Sequence, residues 1–212
     1  DYNRLINKYK KSLLERNKIL QSYNIDYDWL NRIESEISLL GLEIYKLRNT
    51  QLNILNTELN YMKNDHNFQF DVKLEIKDDF VNTEINFEEY LSNLINSREY
   101  DKQFGGTKIG PHKTDIISIV NNEFEASLLS TGQQKTIVLM LLLAQCNYLV
   151  NHSKIKPIFL FDEIGSHLDK HNRQILLDMI KRFEIQFFLT GTDKNLFSFV
   201  STNAQFYNIT ES

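Results

Sequence analysis

Glycine and proline, the residues that most often interrupt regular structure, are concentrated late in the chain. Of the seven glycines only Gly41 precedes residue 105, and both prolines, Pro111 and Pro157, also lie in the later part. Sparse interruption favours long helices, whereas frequent interruption favours short elements joined by loops. We therefore expect a helical arm domain over residues 1–100, followed over residues 101–212 by a loop-rich α/β lobe.

Apolar residues in the arm recur at helical spacing. A first helix is predicted to end near Asn24–Asp26, and a second follows whose apolar positions are spaced 3, 4, 3, 4, 3. That spacing is a heptad seam, so the two helices should pack as a hairpin. Both an ordinary hairpin within a globular domain and a protruding coiled coil fit such a short repeat. The seam residues are Leu30, Ile33, Ile37, Leu40, Ile44 and Leu47.

After the hairpin, period-two and helical patterns alternate. Because alternating strands and helices build parallel sheets covered by helices, the later part predicts an α/β fold with a mostly parallel sheet. The predicted elements are a strand at 68–76, a helix capped by Asn86, a hairpin at 116–126 turning at Asn121-Asn122, a helix at 131–150, a strand at 158–162, a helix at 170–183, a strand at 186–190, a short helix and a last strand at 206–209.

Composition narrows the class of protein. The net charge of −4 excludes a uniformly basic nucleic-acid binder, and the single cysteine, Cys146, excludes an internal disulfide framework and favours a reducing compartment. No apolar stretch approaches the roughly 20 residues that span a bilayer. No export signal is visible and the chain does not begin with Met, so we expect a cytoplasmic protein of which this is a piece.

Two adjacent acids follow the most apolar strand. The run Pro157–Phe161 leads directly into Asp162 and Glu163. Buried parallel strands end at the sheet edge where α/β folds bind ligands, so Asp162 could hold Mg²⁺ while Glu163 faces an attacking water. The same pattern also fits the start of a plain surface loop.

The helix beginning near Thr131 carries a second candidate. Ser130 is a good N-cap, and Gly132 allows an anion to approach the positive end of the helix dipole. Ser130, Gly132 and Gln133 could therefore contact a phosphate, although a cap without ligand fits the same residues. Two further segments are weaker: Ser166-His167-Leu168-Asp169, and a strand ending Thr190-Gly191-Thr192.

In their order and spacing, these four segments resemble the second half of an ABC-type ATPase head. The signature Ser130-Thr131-Gly132-Gln133-Gln134-Lys135, the upstream run Thr107–Asp115 with its Gly-Pro-His segment, and Leu13–Leu20 in the arm resemble the RecF family of bacterial recombination mediators. Gln133 and Gln134 argue against a transporter or SMC-type head, which usually has Ser-Gly-Gly at the signature.

The resemblance implies ATP and Mg²⁺ as cofactors, an ATP-dependent homodimer, binding at single-strand/double-strand DNA junctions, and action with RecR and RecO in loading RecA. It also implies roles for residues. Ser130, Gly132 and Gln133 would contact ATP held by the opposite subunit, Asp169 would lie at the dimer interface, and Asp162 would assist Mg²⁺. Glu163 would position water, and Thr192 or Thr190 stands where such heads commonly carry a histidine.

The chain departs from the family pattern in one respect. Gly-x-x-x-x-Gly-Lys-Ser/Thr, the loop that cradles phosphates, does not occur in it, so this piece alone should not turn ATP over. The alternative is a non-enzymatic module that binds protein partners. Residues 1–20 hold six basic and two acidic residues, and we assign Lys10, Lys11, His112 and Lys113 to a DNA-facing surface, with a solvated helix face and a structural turn as the alternatives.

Overall fold

The computed structural model describes residues 1–66, 70–78, 86–163, 173–174, 177–178, 181, 185–198, 200 and 204–209. Five helices and five strands have defined bounds in this part of the chain. In chain order they are α1 (Tyr2–Leu20), α2 (Tyr27–His66), β1 (Val72–Lys77), α3 (Phe87–Asn96), α4 (Arg98–Phe104), β2 (Asp115–Val120), β3 (Phe124–Glu125), α5 (Thr131–Asn151), β4 (Ile158–Phe161) and β5 (Gln186–Leu189).

The chain divides into two units that interleave along the sequence. Unit 1 comprises Asp1–Asn53 and Leu74–Ile117, and unit 2 comprises Ile54–Lys73 and Ser118–Ser212. Helix α2 contributes residues to both units, since it continues without a break from Tyr27 to His66. A domain boundary at residue 100 stays a prediction from sequence.

Unit 1 is built on an antiparallel pair formed by α1 and the first part of α2. Tyr2, Lys8 and Glu15 on α1 contact Arg48, Glu36 and Trp29 respectively, so α2 runs opposite to α1. The seam predicted from the heptad is buried, except for its exposed last member, Leu47. Helix α3 and Ile109 pack on the pair, so the hairpin is part of a folded unit. The buried apolar core comprises Tyr9, Ile33, Ile37, Leu40, Ile44, Tyr45, Tyr90, Leu94 and Ile109.

Unit 2 contains the predicted tight hairpin. Strands β2 and β3 pair antiparallel through Val120 and Phe124. Asn121 and Asn122 both have positive φ, 53° and 57°, as the type I′ turn between two such strands requires. The Asn121 side chain also accepts a hydrogen bond from the Asp71 amide at 3.0 Å. The three-stranded sheet has the order β1-β2-β3.

Strands β4 and β5 form a parallel pair in unit 2, with Phe159 opposite Phe187 and Phe161 opposite Leu189. A parallel pair requires a crossover connection, and most of the helix predicted at 170–183 lies outside the described residues. Helix α5 buries one side, including Leu139, Leu143 and Cys146. Burial raises the pKa of the Cys146 thiol to about 11, so this buried cysteine is an unreactive part of the core.

The strand predicted at 206–209 is wrong. Residues 204–209 are described and belong to no strand, and Phe206, Tyr207 and Ile209 are exposed. Aromatic and β-branched residues suit a sheet, but a strand forms only where a neighbouring edge accepts its hydrogen bonds. The Phe206 ring instead meets the ring of Phe197 edge-on.

Candidate functional site

The cap of α5 is an exposed capping box. The Ser130 hydroxyl accepts the Gln133 amide at 3.4 Å and donates to Gln133 Oε1 at 2.9 Å, and the Ser130 amide donates to the same oxygen at 3.1 Å. A side chain added at Gly132 would meet no atom within 4 Å. The positive end of α5 is therefore open to solvent, with its hydroxyl and backbone already arranged.

The segment before this cap is held in place by a side chain that belongs to α5. The Gln134 side chain donates to the carbonyls of Ser127 and Leu129, at 3.1 and 3.0 Å. These bonds fix the direction from which the chain enters α5. A glutamine at this position thus has a structural task, separate from any ligand of Ser130.

The two predicted acids lie at the carboxyl end of β4, where a neighbouring hydroxyl meets them. Asp162 and Glu163 are both exposed, and Glu163 has a φ of 52°, in the left-handed region. The Thr190 hydroxyl, just past the end of β5, donates to Asp162 Oδ1 and accepts the Glu163 amide at 2.9 Å. The parallel register of β4 and β5 brings these three residues together, because both strands end at the same sheet edge.

A cavity of about 310 Å³ lies between the first turns of α5 and the end of β4. Lys135, five residues after the cap, and Asp162 are its charged members, and Val138, Leu142 and Leu160 supply apolar surface. These three apolar side chains, two on α5 and one on β4, are exposed and form an apolar patch. Lys135 on α5 and Asp162 at the end of β4 therefore border one concave surface.

Other predicted residues have less defined surroundings. Thr192 is exposed and has no hydrogen bond among the described residues, whereas Thr190 contacts both acids. Asp169, with the rest of Ser166-His167-Leu168-Asp169, lies outside the described residues. Within the described ranges, no group of three or more His, Cys, Asp or Glu side chains could hold a metal ion by itself.

The Gly-Pro-His segment in unit 1 is anchored through both imidazole nitrogens of His112. Tyr9 contacts His112 Nδ1 at 3.0 Å, and His112 Nε2 contacts the Thr107 carbonyl at 2.8 Å. Because a carbonyl can only accept, Nε2 carries a proton, and the Tyr9 hydroxyl donates to Nδ1 when the ring is neutral. Burial lowers the pKa of His112, which favours that neutral form.

The same segment is held from α2 by Arg48. Its Nη1 donates to the Pro111 carbonyl and, at 2.7 Å, to the Thr114 hydroxyl. Lys113 between them is exposed. The structure thus holds His112 in a hydrogen-bonded turn. His112 and Lys113 are both exposed there, and Lys10 and Lys11 are exposed on α1.

Sequence patterns did not reveal Arg16, whose side chain is fully buried. Its guanidinium donates to Glu34 at 3.0 Å, to Asp101 at 2.6 Å and to the Leu94 carbonyl at 2.7 Å. Asp101 also accepts a hydrogen bond from the Lys108 amide at 3.1 Å, near the start of the run Thr107–Asp115 that contains the Gly-Pro-His segment. The sequence did contain one sign of this role, since Arg16 stands among the apolar positions of α1. A charge at a buried position indicates that partners of opposite charge are buried with it.

A family model described as "RecF/RecN/SMC N terminal domain" matches residues 2–211. Among curated relatives, "DNA replication and repair protein RecF" of Rhizobium etli (strain CIAT 652) is 32% identical over 209 residues, which are 96% of this chain and 56% of that protein. The protein of the same name from Brucella abortus (strain 2308) is 30% identical over 217 residues, which span 95% and 54%. The chain thus spans about half the length of these relatives.

Solved structures share the fold. "Structure of the recombination mediator protein RecF-ATP in RecFOR pathway" superposes with a TM-score of 0.74 at 24% identity, over 92% of this chain and 54% of that one. The corresponding RecF-ATPrS structure gives 0.73 at 25% identity, over 95% and 55%. None of the helices in the described part of the chain is long and apolar enough to cross a membrane.

Proposed function

Because the chain belongs to the RecF/RecN/SMC N-terminal domain family, we propose that it is the C-terminal portion of a RecF-like DNA replication and repair protein. In that proposal the longer protein binds ATP and dimerises around it. It then binds DNA at single-strand/double-strand junctions in recombinational gap repair, in the cytoplasm and with RecR and RecO as partners. The relatives' names and length and the likeness to a RecF-ATP structure support this function.

One observation carries the nucleotide part of the proposal: α5 begins with an exposed capping box, and its first turn is open to solvent at Gly132. A terminal phosphate at Ser130 would meet the amides at the start of the helix, and it would receive the hydroxyl proton in place of Gln133 Oε1, which accepts it in this structure. Gly132 leaves room for that approach, and Gln133 already holds the hydroxyl. We assign Ser130, Gly132 and Gln133 to the ATP of the opposite subunit.

The acidic edge suits Mg²⁺ and water. Magnesium prefers oxygen ligands and keeps several of its waters, and the exposed Asp162 carboxylate offers an oxygen with no hydrogen bond among the described residues. Bound there, Mg²⁺ would neutralise charge on the phosphates. Glu163 is assigned to orient and deprotonate the attacking water, Asp169 to the dimer interface, and Thr192 to the phosphate-facing end of β5.

The segment lacks the phosphate-cradling loop, so the proposal requires the longer protein. In the part of unit 2 that is described, exposed apolar side chains on β4 and α5 are consistent with a missing part of the head. By itself the 212-residue chain should bind ATP weakly and hydrolyse none.

Ser130→Arg in the full-length protein tests the proposal. A bulky cation at the cap should abolish ATP-dependent dimerisation, measured by light scattering with and without ATP and Mg²⁺. Ser127→Arg, three residues upstream on the exposed segment before the cap, is the matched control and should dimerise normally. Dimerisation that survives Ser130→Arg would reject the phosphate role and favour the partner-binding alternative.

A further inference from the structure

Thr190 occupies an unusual position between the two acids. Its hydroxyl donates to the Asp162 carboxylate and at the same time accepts the Glu163 amide at 2.9 Å. Its own amide donates to the Phe161 carbonyl at 3.0 Å, which continues the parallel ladder by one residue. One side chain just past the end of β5 therefore holds both the side chain of the first acid and the backbone of the second.

The Glu163 backbone needs such support. Its φ of 52° lies in the left-handed region, which is unfavourable for a residue with a Cβ and persists where neighbouring contacts over-determine it. Glu163 is exposed, so dense packing does not impose this conformation. The hydrogen bond from the Glu163 amide to the Thr190 hydroxyl is a contact that supports this conformation.

The Thr190 hydroxyl cannot donate a hydrogen bond to a phosphate while it donates its proton to Asp162. A threonine hydroxyl has one proton, and here that proton is donated to Asp162, in a charge-assisted bond. Thr190 therefore acts through the acids. Its methyl and backbone offer nothing else to an anion, whereas Thr192 is exposed without a hydrogen bond to either acid among the described residues.

We propose that Thr190 is the positioning residue of the acidic edge, orienting the Asp162 carboxylate toward Mg²⁺ and fixing the turn from which Glu163 reaches water. This rests on the proposed function, because it specifies how that site is assembled. It assigns to Thr190 the role of aligning two groups whose misplacement by about 1 Å can lower a rate about 100-fold.

Two measurements on the full-length protein test the proposal. The first is ATP hydrolysis by Thr190→Val, which keeps the shape and removes the hydroxyl. We expect kcat to fall about 10- to 100-fold with KM for ATP changed less than about threefold, and half-saturation by Mg²⁺ to move to higher concentration. Thr190→Ser should restore most of the rate, and Thr50→Val, which removes an exposed hydroxyl from α2, should match the wild type.

The second measurement needs no nucleotide. Hydrogen exchange by mass spectrometry, on peptides containing residues 161–163, should become faster in Thr190→Val and remain slow in Thr190→Ser, because the hydroxyl accepts the hydrogen bond of the Glu163 amide. Unchanged exchange in Thr190→Val would overturn the geometry. Unchanged kcat, or a larger loss in Thr192→Val, would overturn the positioning role. A wild-type protein without any ATP turnover would instead reject the proposed function, and the exchange comparison would still decide whether Thr190 holds the turn.

Discussion

Arg16 on α1 and Asp101 on α4 form an ion pair whose two side chains are both completely buried, with Nη1 and Oδ2 2.6 Å apart. Glu34 and Arg98 complete the cluster, so two cations face two carboxylates. Such a cluster joins three helices and the start of the Gly-Pro-His segment. Its charges leave water only because each has a partner, which makes the loss of one member costly.

Arg16→Ala should therefore destabilise the chain by about 3–5 kcal/mol, because it leaves Asp101 and Glu34 buried without their shared cation. Urea unfolding followed by circular dichroism measures the loss. Lys18→Ala, an exposed position two residues along α1, should change stability by less than about 0.5 kcal/mol. Equal stability of Arg16→Ala and Lys18→Ala would show that the cluster contributes nothing.

Gly41 is a helical glycine that should resist replacement by alanine. Alanine is normally favoured over glycine in a helix by about 1 kcal/mol. At this position, however, a Cβ would lie 2.5 Å from Cε1 of Tyr90, a fully buried ring. Gly41→Ala should lower stability by about 1–3 kcal/mol. In a Tyr90→Ala background the same change should be neutral or stabilising, and an identical loss in both backgrounds would contradict the steric explanation.

The pH dependence of stability should contain a contribution from His112. Burial holds the pKa of His112 in the folded protein below its ordinary value of 6.5. As pH falls below that value, the unfolded chain takes up a proton that the folded chain does not, so stability is fully present above 6.5 and declines as pH decreases toward the folded pKa. Chemical unfolding of the wild type and His112→Asn between about pH 8 and pH 5 measures it. The substitution should flatten the acidic decline, and parallel curves would contradict the assignment.

Glu163→Gln keeps the size of the side chain and removes its basicity. If Glu163 activates water, kcat for ATP in the full-length protein should fall about 100- to 10,000-fold, and the ATP-bound dimer should persist. Steady-state hydrolysis and dimer lifetime are the two readouts. Glu123→Gln, an exposed glutamate beside the β2–β3 turn, should match the wild type. Wild-type turnover in Glu163→Gln would remove Glu163 from its role.

DNA binding through unit 1 should depend on salt. Each lysine that contacts a phosphate contributes about −0.9 to the slope of log affinity against log salt. Lys113→Ala should thus reduce the slope by about 1, and Lys10→Ala with Lys11→Ala by about 2, as measured by fluorescence anisotropy on a junction substrate. Lys46→Ala, exposed on α2, is the control. A slope unchanged by the first three substitutions would place the DNA surface elsewhere.

Local sequence patterns predicted most of the secondary structure. Asn86 caps α3 and Ser130 caps α5, as expected, and the two asparagines at 121–122 form the turn of a hairpin. These features depend on residues within a few positions of one another, so the sequence contains their cause. The predicted strand at 206–209 failed because pairing requires an edge that the local pattern cannot specify.

Contacts between distant parts of the chain decided which residues meet at the acidic edge of β4 and in the Arg16 cluster. Nothing in the local sequence distinguishes Thr190 from Thr192, and only the β4–β5 register brings Thr190 to the acids. Likewise, Arg16 lies 85 positions from Asp101, and its burial depends on where α4 packs. By itself the sequence determined most of the helices and strands, the caps and the acidic end of β4, because their forces act over one or two turns. The tertiary structure decided which hydroxyl and which charges meet there, because burial and register are properties of the whole fold.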